Sequence, residues 1–290
     1  MVIRPAGADE GIVFVRRDLS GNNRIKADVR NVRDTTLATT IGLNGATVST
    51  VEHLMSAFSG MGVDNAVVEL DAQEVPIMDG SARPFVELLK DVGTRVQGKG
   101  KKLLVIKEKI AVSEGEGTAT LLPSPEFRIT YKIEFNHPAI GAQSYQMIFS
   151  DVAYEEEICA ARTFGFLRDV EYLQAKGLAL GGSLKNAVVL DEHRILNKEG
   201  LRSPDEFVKH KILDAIGDLS LLGIPIIGHF VAYKSGHRLN NLLLKELLMR
   251  TECWSLVNRF SKEGMLNELK ALRVPSFRVL DSAPVSPLML

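Results

Sequence analysis

The 290-residue sequence lacks most of the features that mark secreted or nucleic-acid-binding proteins. Its two cysteines, Cys159 and Cys253, form neither a metal-binding pattern nor a disulfide framework, so a reducing cytoplasm is the expected environment. Basic and acidic residues nearly cancel to a net charge of −1, so global charge gives no argument for a nucleic-acid partner.

Long apolar stretches are also missing. The longest apolar run, 219–233, is too short to cross a bilayer and contains Pro225 and His229. The first residues, MVIRPAGADEG, have no apolar region of the kind found in secretory signals. We therefore expect no transmembrane segment. What the chain does have is 45% hydrophobic residues, which suits a globular core.

The order of the predicted elements indicates an α+β fold with two similar halves. In each half, strand patterns precede a histidine-bearing helix that leads through glycine into an apolar strand. The glycine- and lysine-rich stretch RVQGKGKK separates the halves. We place a first domain at 1–97, a second at 98–248 and an atypical C-terminal tail at 249–290.

The helix within SPDEFVKHKILDAIGD carries three polar residues in one file. His210, Asp214 and Asp218 recur every four residues, so they share one stripe of the helix, away from its main apolar arc. The stripe is either a solvated face or part of a metal site, because a histidine and a carboxylate at i and i+4 can hold one ion.

A third metal ligand would have to come from elsewhere, and His53 in STVEHLMSAF is the best candidate. The alternative is that His53 is a half-buried helix histidine without a functional role. Glu52 is either a capping residue, since Ser49 and Glu52 have capping-box spacing, or a general base beside the ligand. Three protein ligands with an open fourth position define a catalytic zinc site. Ser203 and Glu206 predict a second capping box.

His237 follows a glycine in YKSGHRLNN, at a predicted strand-to-helix turn. It is either an exposed turn histidine or a cationic partner for a developing oxyanion, oriented by Asp218. The stretch CAARTFGFLRDVEYLQAKGLALGGS is either ordinary core or an apolar channel for a chain-like substrate. In the second interpretation Thr163 donates a hydrogen bond to the reacting carbonyl.

These stretches together resemble the bacterial UDP-3-O-acyl-N-acetylglucosamine deacetylases, the zinc amidases of the lipid A pathway. The resemblance is carried by STVEHLMSAFSGMGVDNAVVELDAQEVPIMDGSARPFVELL, ARTFGFLRDVEYLQAKGLALGGS, DEFVKHKILDAIGDL and AYKSGHRLNN, and runs to about Glu246. It implies hydrolysis of a 2-acetamido group to a free amine and acetate. It also implies two α+β domains, each a mostly antiparallel sheet layered with two helices, with the active site between them.

The resemblance also implies roles for individual residues. Zn²⁺, with Fe²⁺ as the alternative, would be bound by His53, His210 and Asp214. The catalytic residues would be Glu52 as general base, His237 as protonated partner, Asp218 as its support and Thr163 as donor. Substrate would contact Lys211, Phe164, Phe166 and Leu173.

Two departures from the family pattern and two rival functions accompany this expectation. The chain is expected to lack the N-terminal strand of the family, and its tail from about Leu247 differs from the expected ending. The rivals are a metal hydrolase of another amide or ester and a non-catalytic paralogue that binds acylated sugar nucleotides. In the main interpretation we expect a cytoplasmic monomer that acts on a small molecule.

Overall fold

A computed structural model of the chain describes residues 1–21, 23–168 and 183–259. Leu173, predicted to contact substrate, lies outside the described residues. The predicted division at 97/98 and the predicted tail stay predictions. The part of that tail which is described includes a strand paired with the second-half sheet.

The first half contains a four-stranded sheet, a small three-stranded sheet and two helices. Its strands are β1 (Val2–Pro5), β2 (Ile12–Arg16), β3 (Arg24–Lys26), β4 (Val32–Asp34), β5 (Thr40–Leu43), β6 (Ala46–Val48) and β7 (Ala66–Leu70). Its helices are α1 (Glu52–Gly60) and α2 (Arg83–Val92). The larger sheet has the order β1-β7-β2-β3, with β2 and β7 parallel at its centre.

The second half is larger but has the same kind of sheet. Its strands are β8 (Lys101–Ile106), β9 (Ile110–Glu114), β10 (Gly117–Leu122), β11 (Phe127–Glu134), β12 (Ala142–Ile148), β13 (Phe164–Phe166), β14 (Val188–Leu190), β15 (Ile226–Tyr233) and β16 (Trp254–Arg259). Its α-helices are α3 (Asp151–Ala153), α4 (Glu206–Ser220) and α5 (His237–Met249). The main order is β12-β11-β15-β10-β9, with β11 and β15 parallel, and β8 joins β15 to β16.

Strand burial follows the two-residue period of a sheet with one face on the core. In β15, every second residue from Ile226 to Ala232 is buried, and the alternate residues are half-buried. Full burial of a side chain such as Phe230 stabilises the fold by about 1.5–3 kcal/mol relative to exposure. The α+β prediction is therefore confirmed. No helix in the described part of the chain is long and apolar enough to cross a membrane.

Helices α1 and α4 cross at very short range, and this crossing places the candidate site. A Cβ atom added to Gly217 in α4 would lie 2.0 Å from the carbonyl oxygen of Glu52 in α1. Only glycine allows this approach, because any side chain would occupy the space of the neighbouring backbone. The first turn of α1 therefore lies against the C-terminal part of α4.

Both predicted capping boxes are wrong, and the reason is the same. Neither α1 nor α4 has a side-chain cap hydrogen bond at its start. The carboxylate of Glu52 accepts from the backbone N–H of Thr39, and that of Glu206 accepts from Arg162. Contacts distant in sequence thus take the side chains that local spacing assigned to capping.

Candidate metal and catalytic site

Three potential metal ligands converge where α1 crosses α4. His53, His210 and Asp214 each offer a ligand atom, and these atoms lie within 4.8 Å of one another. All three residues are only 2–3% exposed. The polar stripe of α4 therefore faces α1 rather than solvent, and the solvated-face alternative is wrong. His53 is buried, not half-buried.

The distances inside this trio suit a shared ion. Asp214 Oδ1 lies 3.3 Å from His210 Nε2 and 3.7 Å from His53 Nε2. Ligands held at about 2.0–2.2 Å around a tetrahedral ion are separated by roughly 3.3–3.6 Å. Asp214 Oδ1 is also buried without a hydrogen-bond donor among the described residues. A cation would satisfy that oxygen, so the residues fit a metal ion.

The surroundings of His210 prepare it as a neutral ligand. Its Nδ1 lies 3.1 Å from the carbonyl oxygen of Ala161, so the ring donates from Nδ1 and leaves Nε2 to face Asp214. Burial lowers the pKa of His210 to about 4, against the opposing charge of Asp214. The imidazole is therefore uncharged at neutral pH, as metal binding requires.

Asp214 is held as a carboxylate. Burial alone would raise its pKa, but the neighbouring His210 and Lys211 hold the pKa well below its ordinary value. Lys211 Nζ donates to Asp214 Oδ2 at 2.9 Å. The burial cost to the Lys211 ammonium is outweighed by Asp214, which raises the pKa of Lys211. Lys211 thus occupies one carboxylate oxygen and leaves the other for the ion.

Glu52 lies beside the trio and is 3% exposed. Its Oε2 accepts from the backbone N–H of Thr39 at 3.0 Å, and its Oε1 lies 3.9 Å from His237 Nε2. Burial raises the pKa of Glu52, although the charges of His237 and His53 oppose the shift. A carboxylate with a raised pKa accepts protons more readily, which is the property required of a general base.

His237, in the first turn of α5, lies next to Glu52 and Asp218. Its side chain is 10% exposed, so the exposed-turn alternative is wrong. Nδ1 lies 2.9 Å from Asp218 Oδ2, which also accepts from Asn240. Burial would lower the pKa of His237, but the charge and hydrogen bond of Asp218 raise it to about 10. The ring is therefore a cation at neutral pH.

Thr163 lies in the segment that leads from Ala161 into β13. Its backbone N–H donates to the carbonyl oxygen of Gly80 at 2.7 Å, and its carbonyl accepts from Val188 at 2.8 Å. Gly80 has a φ of +84°, and a Cβ there would lie 1.9 Å from the carbonyl oxygen of Asn186. This tight docking fixes the backbone of Thr163 from both sides.

Aromatic side chains form a wall next to the trio. The Phe164 ring centroid lies 6.2 Å from that of His210 and 5.7 Å from that of Phe135. Phe166 continues the wall, 6.3 Å from Phe135, and Lys211 Nζ lies 5.8 Å from the Phe164 centroid. Phe164 and Phe166 are half-buried, so part of this apolar surface is open to a ligand.

Residues 1–249 match the family described as UDP-3-O-acyl N-acetylglycosamine deacetylase, LpxC. A relative named UDP-3-O-acyl-N-acetylglucosamine deacetylase from Syntrophus aciditrophicus is 67% identical over 88% of this chain and 81% of its own length. Relatives of the same name from Myxococcus xanthus and Haemophilus influenzae are 54% and 51% identical, each over 91% of this chain and 85% and 87% of their own lengths. The chain belongs to the LpxC family.

This LpxC family member also contains site residues that the sequence did not reveal. They are Thr39, Asn240, the carbonyl group of Ala161, and the pair Arg162–Glu206. Arg162 is buried and binds both carboxylate oxygens of Glu206, which attaches the segment of Ala161 and Thr163 to the start of α4. For Thr39, no local signal exists, since its partner Asp218 is 179 residues away.

Proposed function

We propose that this chain hydrolyses the 2-acetamido group of UDP-3-O-acyl-N-acetylglucosamine, giving acetate and a free amine, as a cytoplasmic step of lipid A biosynthesis. The observation that carries the proposal is the convergence of His53, His210 and Asp214 beside Glu52 and His237 in a chain of this family. Its relatives bear the name of that deacetylase.

The metal in this proposal is Zn²⁺, held by the three converging residues, with Fe²⁺ as the alternative. Two imidazoles and one carboxylate are a ligand set of the type found in catalytic zinc sites. When bound, such an ion polarises the amide carbonyl and lowers the pKa of water toward ~7. The buried Asp214 Oδ1, which has no hydrogen-bond donor in the described part of the chain, supports a cation at this position.

Glu52 acts as the general base in the proposed reaction. The Thr39 N–H holds its Oε2, which leaves Oε1 directed toward His237 and available to take a proton from the attacking water. His237, kept protonated by Asp218, stabilises negative charge on the acetamide oxygen, with Thr163 as a second donor. Protonated Glu52 and His237 are both placed to donate to the departing nitrogen.

Substrate recognition in the proposal uses the residues on the open side of the site. The half-buried Phe164 and Phe166 suit an acyl chain, because they offer apolar surface next to the trio. Lys211 contacts the polar part of the substrate from the edge of this wall. Leu173 is assigned to the same acyl surface from the sequence.

The test is acetate release from the acylated UDP-sugar by the purified protein, with its metal content measured in parallel. We expect about one Zn²⁺ per chain and loss of activity with a chelator, restored by added Zn²⁺. Glu52→Gln should keep the metal and lose ~10²–10⁴-fold in rate. Glu87→Gln, at an exposed position of α2, is the matched control.

Three outcomes would overturn parts of this proposal. Binding of the sugar nucleotide without acetate release would indicate the non-catalytic paralogue. Turnover of a different amide or ester in preference would change the substrate. A Glu52→Gln variant with the unaltered rate would remove Glu52 as the base while leaving the deacetylase assignment intact.

A further inference from the structure

Thr39 contacts both sides of the candidate site although it lies outside the residues so far given a role. It is 2% exposed and sits in the turn before β5, in the small sheet of the first half. Its backbone N–H donates to Glu52 Oε2 at 3.0 Å, and its carbonyl accepts from Val51 at 3.3 Å. Its hydroxyl donates to Asp218 Oδ1 at 2.6 Å.

These contacts connect two parts of the site through one residue. The first part is the proposed base Glu52 together with the turn at Val51 that starts α1. The second is Asp218 and His237, which are 2.9 Å apart and belong to the second half. The two carboxylates therefore take their orientation from the same short turn, and the facing atoms Glu52 Oε1 and His237 Nε2 stay 3.9 Å apart.

We propose that Thr39 is a positioning residue that holds Glu52 and, through Asp218, His237 in register for proton transfer. The inference rests on the proposed deacetylase function, since it assigns Thr39 to the acid–base pair of that reaction. Thr39 does not need to touch the substrate or the ion for this role.

The hydroxyl is the part of Thr39 that matters for Asp218 and His237. Asp218 Oδ2 already accepts from His237 and Asn240, whereas Oδ1 accepts from Thr39. Without the hydroxyl, a buried carboxylate oxygen loses its donor and the carboxylate can rotate about its bond to the chain. Hydrogen bonds to charged groups are among the stronger ones in proteins, so this loss should be visible in the rate.

The experiment compares three variants of the zinc-containing protein. Thr39→Val keeps the shape and the backbone N–H but removes the hydroxyl, and Thr39→Ser restores it. Thr40→Val is the matched control, because the Thr40 hydroxyl bonds Ser49 at 2.9 Å and not a site residue. We expect Thr39→Val to lower kcat by roughly 10- to 100-fold, with KM and zinc content within about twofold of the parent protein. Thr39→Ser should recover most of the rate.

Two further measurements separate positioning from a general structural effect. In an Asp218→Ala background, Thr39→Val should change kcat by less than about twofold, because the partner of the hydroxyl is already gone. The ring signals of His237 in NMR spectra should move in Thr39→Val and not in Thr40→Val. If Thr39→Val is recovered only as aggregate, Thr39→Ala and Thr39→Ser provide the comparison.

The inference is overturned by an unaltered kcat in Thr39→Val, by a Thr39→Ser variant as slow as Thr39→Val, or by an equal loss in the Asp218→Ala background. These results require a parent protein that releases acetate. A parent protein with full zinc and no acetate release overturns the proposed function instead, so the two failures are distinguishable.

Discussion

The two halves of the molecule repeat one chain path, and the comparison between them shows where the chemistry resides. In each half an antiparallel hairpin contributes one strand to a central parallel pair, a helix precedes the other parallel strand, and a second helix follows it. The matching strands are β1 with β10, β2 with β11, β3 with β12 and β7 with β15. The matching helices are α1 with α4 and α2 with α5.

One difference is the segment between the hairpin and the matched helix, which is α1 in the first half and α4 in the second. In the first half this segment forms β4, β5 and β6 and supplies Thr39. In the second half it contains β13 and β14 and supplies Ala161, Thr163 and Phe164. The repeated parts thus build the scaffold, and the unrepeated parts orient and enclose the reactive groups.

The largest expected effect comes from separating the halves at their helix crossing. Gly217→Ala would place a Cβ 2.0 Å from the carbonyl oxygen of Glu52, so α1 and α4 must move apart. A shift of about 1 Å at a catalytic group can cost 10²-fold in rate, and we expect at least that loss together with loss of bound metal. Acetate release and metal content measure both.

Gly98→Ala is the control for this change, because a Cβ at Gly98 meets no atom of the described residues within 4 Å. Gly98→Ala should leave acetate release and metal content unaltered. Full metal and full rate in Gly217→Ala would contradict the close crossing.

The next effect is a loss in the free energy of unfolding, and it compares one buried arginine in each half. Arg162→Met leaves the buried carboxylate of Glu206 without its cationic partner, and we expect a loss of about 3–5 kcal/mol in the free energy of unfolding. Arg16→Met in the first half removes bonds to Asp18, which is one third exposed, and to the Thr47 carbonyl. It should cost about 1 kcal/mol.

Urea unfolding at constant metal concentration measures both arginine variants. Equal losses in the free energy of unfolding would contradict the prediction that the second half depends more strongly on its buried ion pair than the first half does on Arg16. Arg162→Met should also lower the rate more than Arg16→Met, because only Arg162 adjoins the Ala161 carbonyl that holds His210.

The smallest effect is on the pH dependence of stability. It distinguishes α5, which brings His237 to the site, from its counterpart α2, which contributes no residue with a proposed role. The pKa of His237 is raised to about 10 from an ordinary value near 6.5. Its protonated form therefore stabilises the fold fully below about pH 6.5, and this contribution is lost as the pH rises toward 10. Asp218→Asn should lower the His237 pKa by at least ~1 unit, or about 1.4 kcal/mol.

Histidine NMR titration measures that shift, and melting temperatures should show the parent and Asp218→Asn converging as pH rises from 6.5 to 10. The surface change Asp64→Asn, which removes an ion pair with Lys101, is the control and should not alter the His237 titration. An unshifted His237 in Asp218→Asn would mean that another group supports its charge.

Helix α4 shows how much of the candidate site could be predicted from the sequence. The four-residue spacing of His210, Asp214 and Asp218 put them on one face, but spacing cannot tell whether that face meets water or another helix. His53 is the best sequence candidate for the third member because it follows Glu52 at the start of a predicted helix, and the family resemblance implies the same residue. The structure brings the trio together.

The failures arose where side chains have partners far away in the chain. Glu52 and Glu206 had the right local spacing for capping, yet tertiary partners took both carboxylates. Thr39 sits in a stretch, TTLATTIGL, whose pattern predicts only a strand, and nothing near it in sequence points to Asp218. The Thr39–Asp218 contact depends on how the two halves dock, and the other two contacts depend on packing within one half. Local propensity encodes neither.

The central parallel pairs have a consequence for the order in which the molecule folds. Strands β2 and β7 are joined through residues 17–65, and β11 and β15 through 135–225. Closing such long connections is slow, because chain entropy is lost before the strands pair. His53 lies on the first connection and His210 with Asp214 on the second. Assembly of the candidate metal site from His53, His210 and Asp214 is therefore expected late, after both connections have closed.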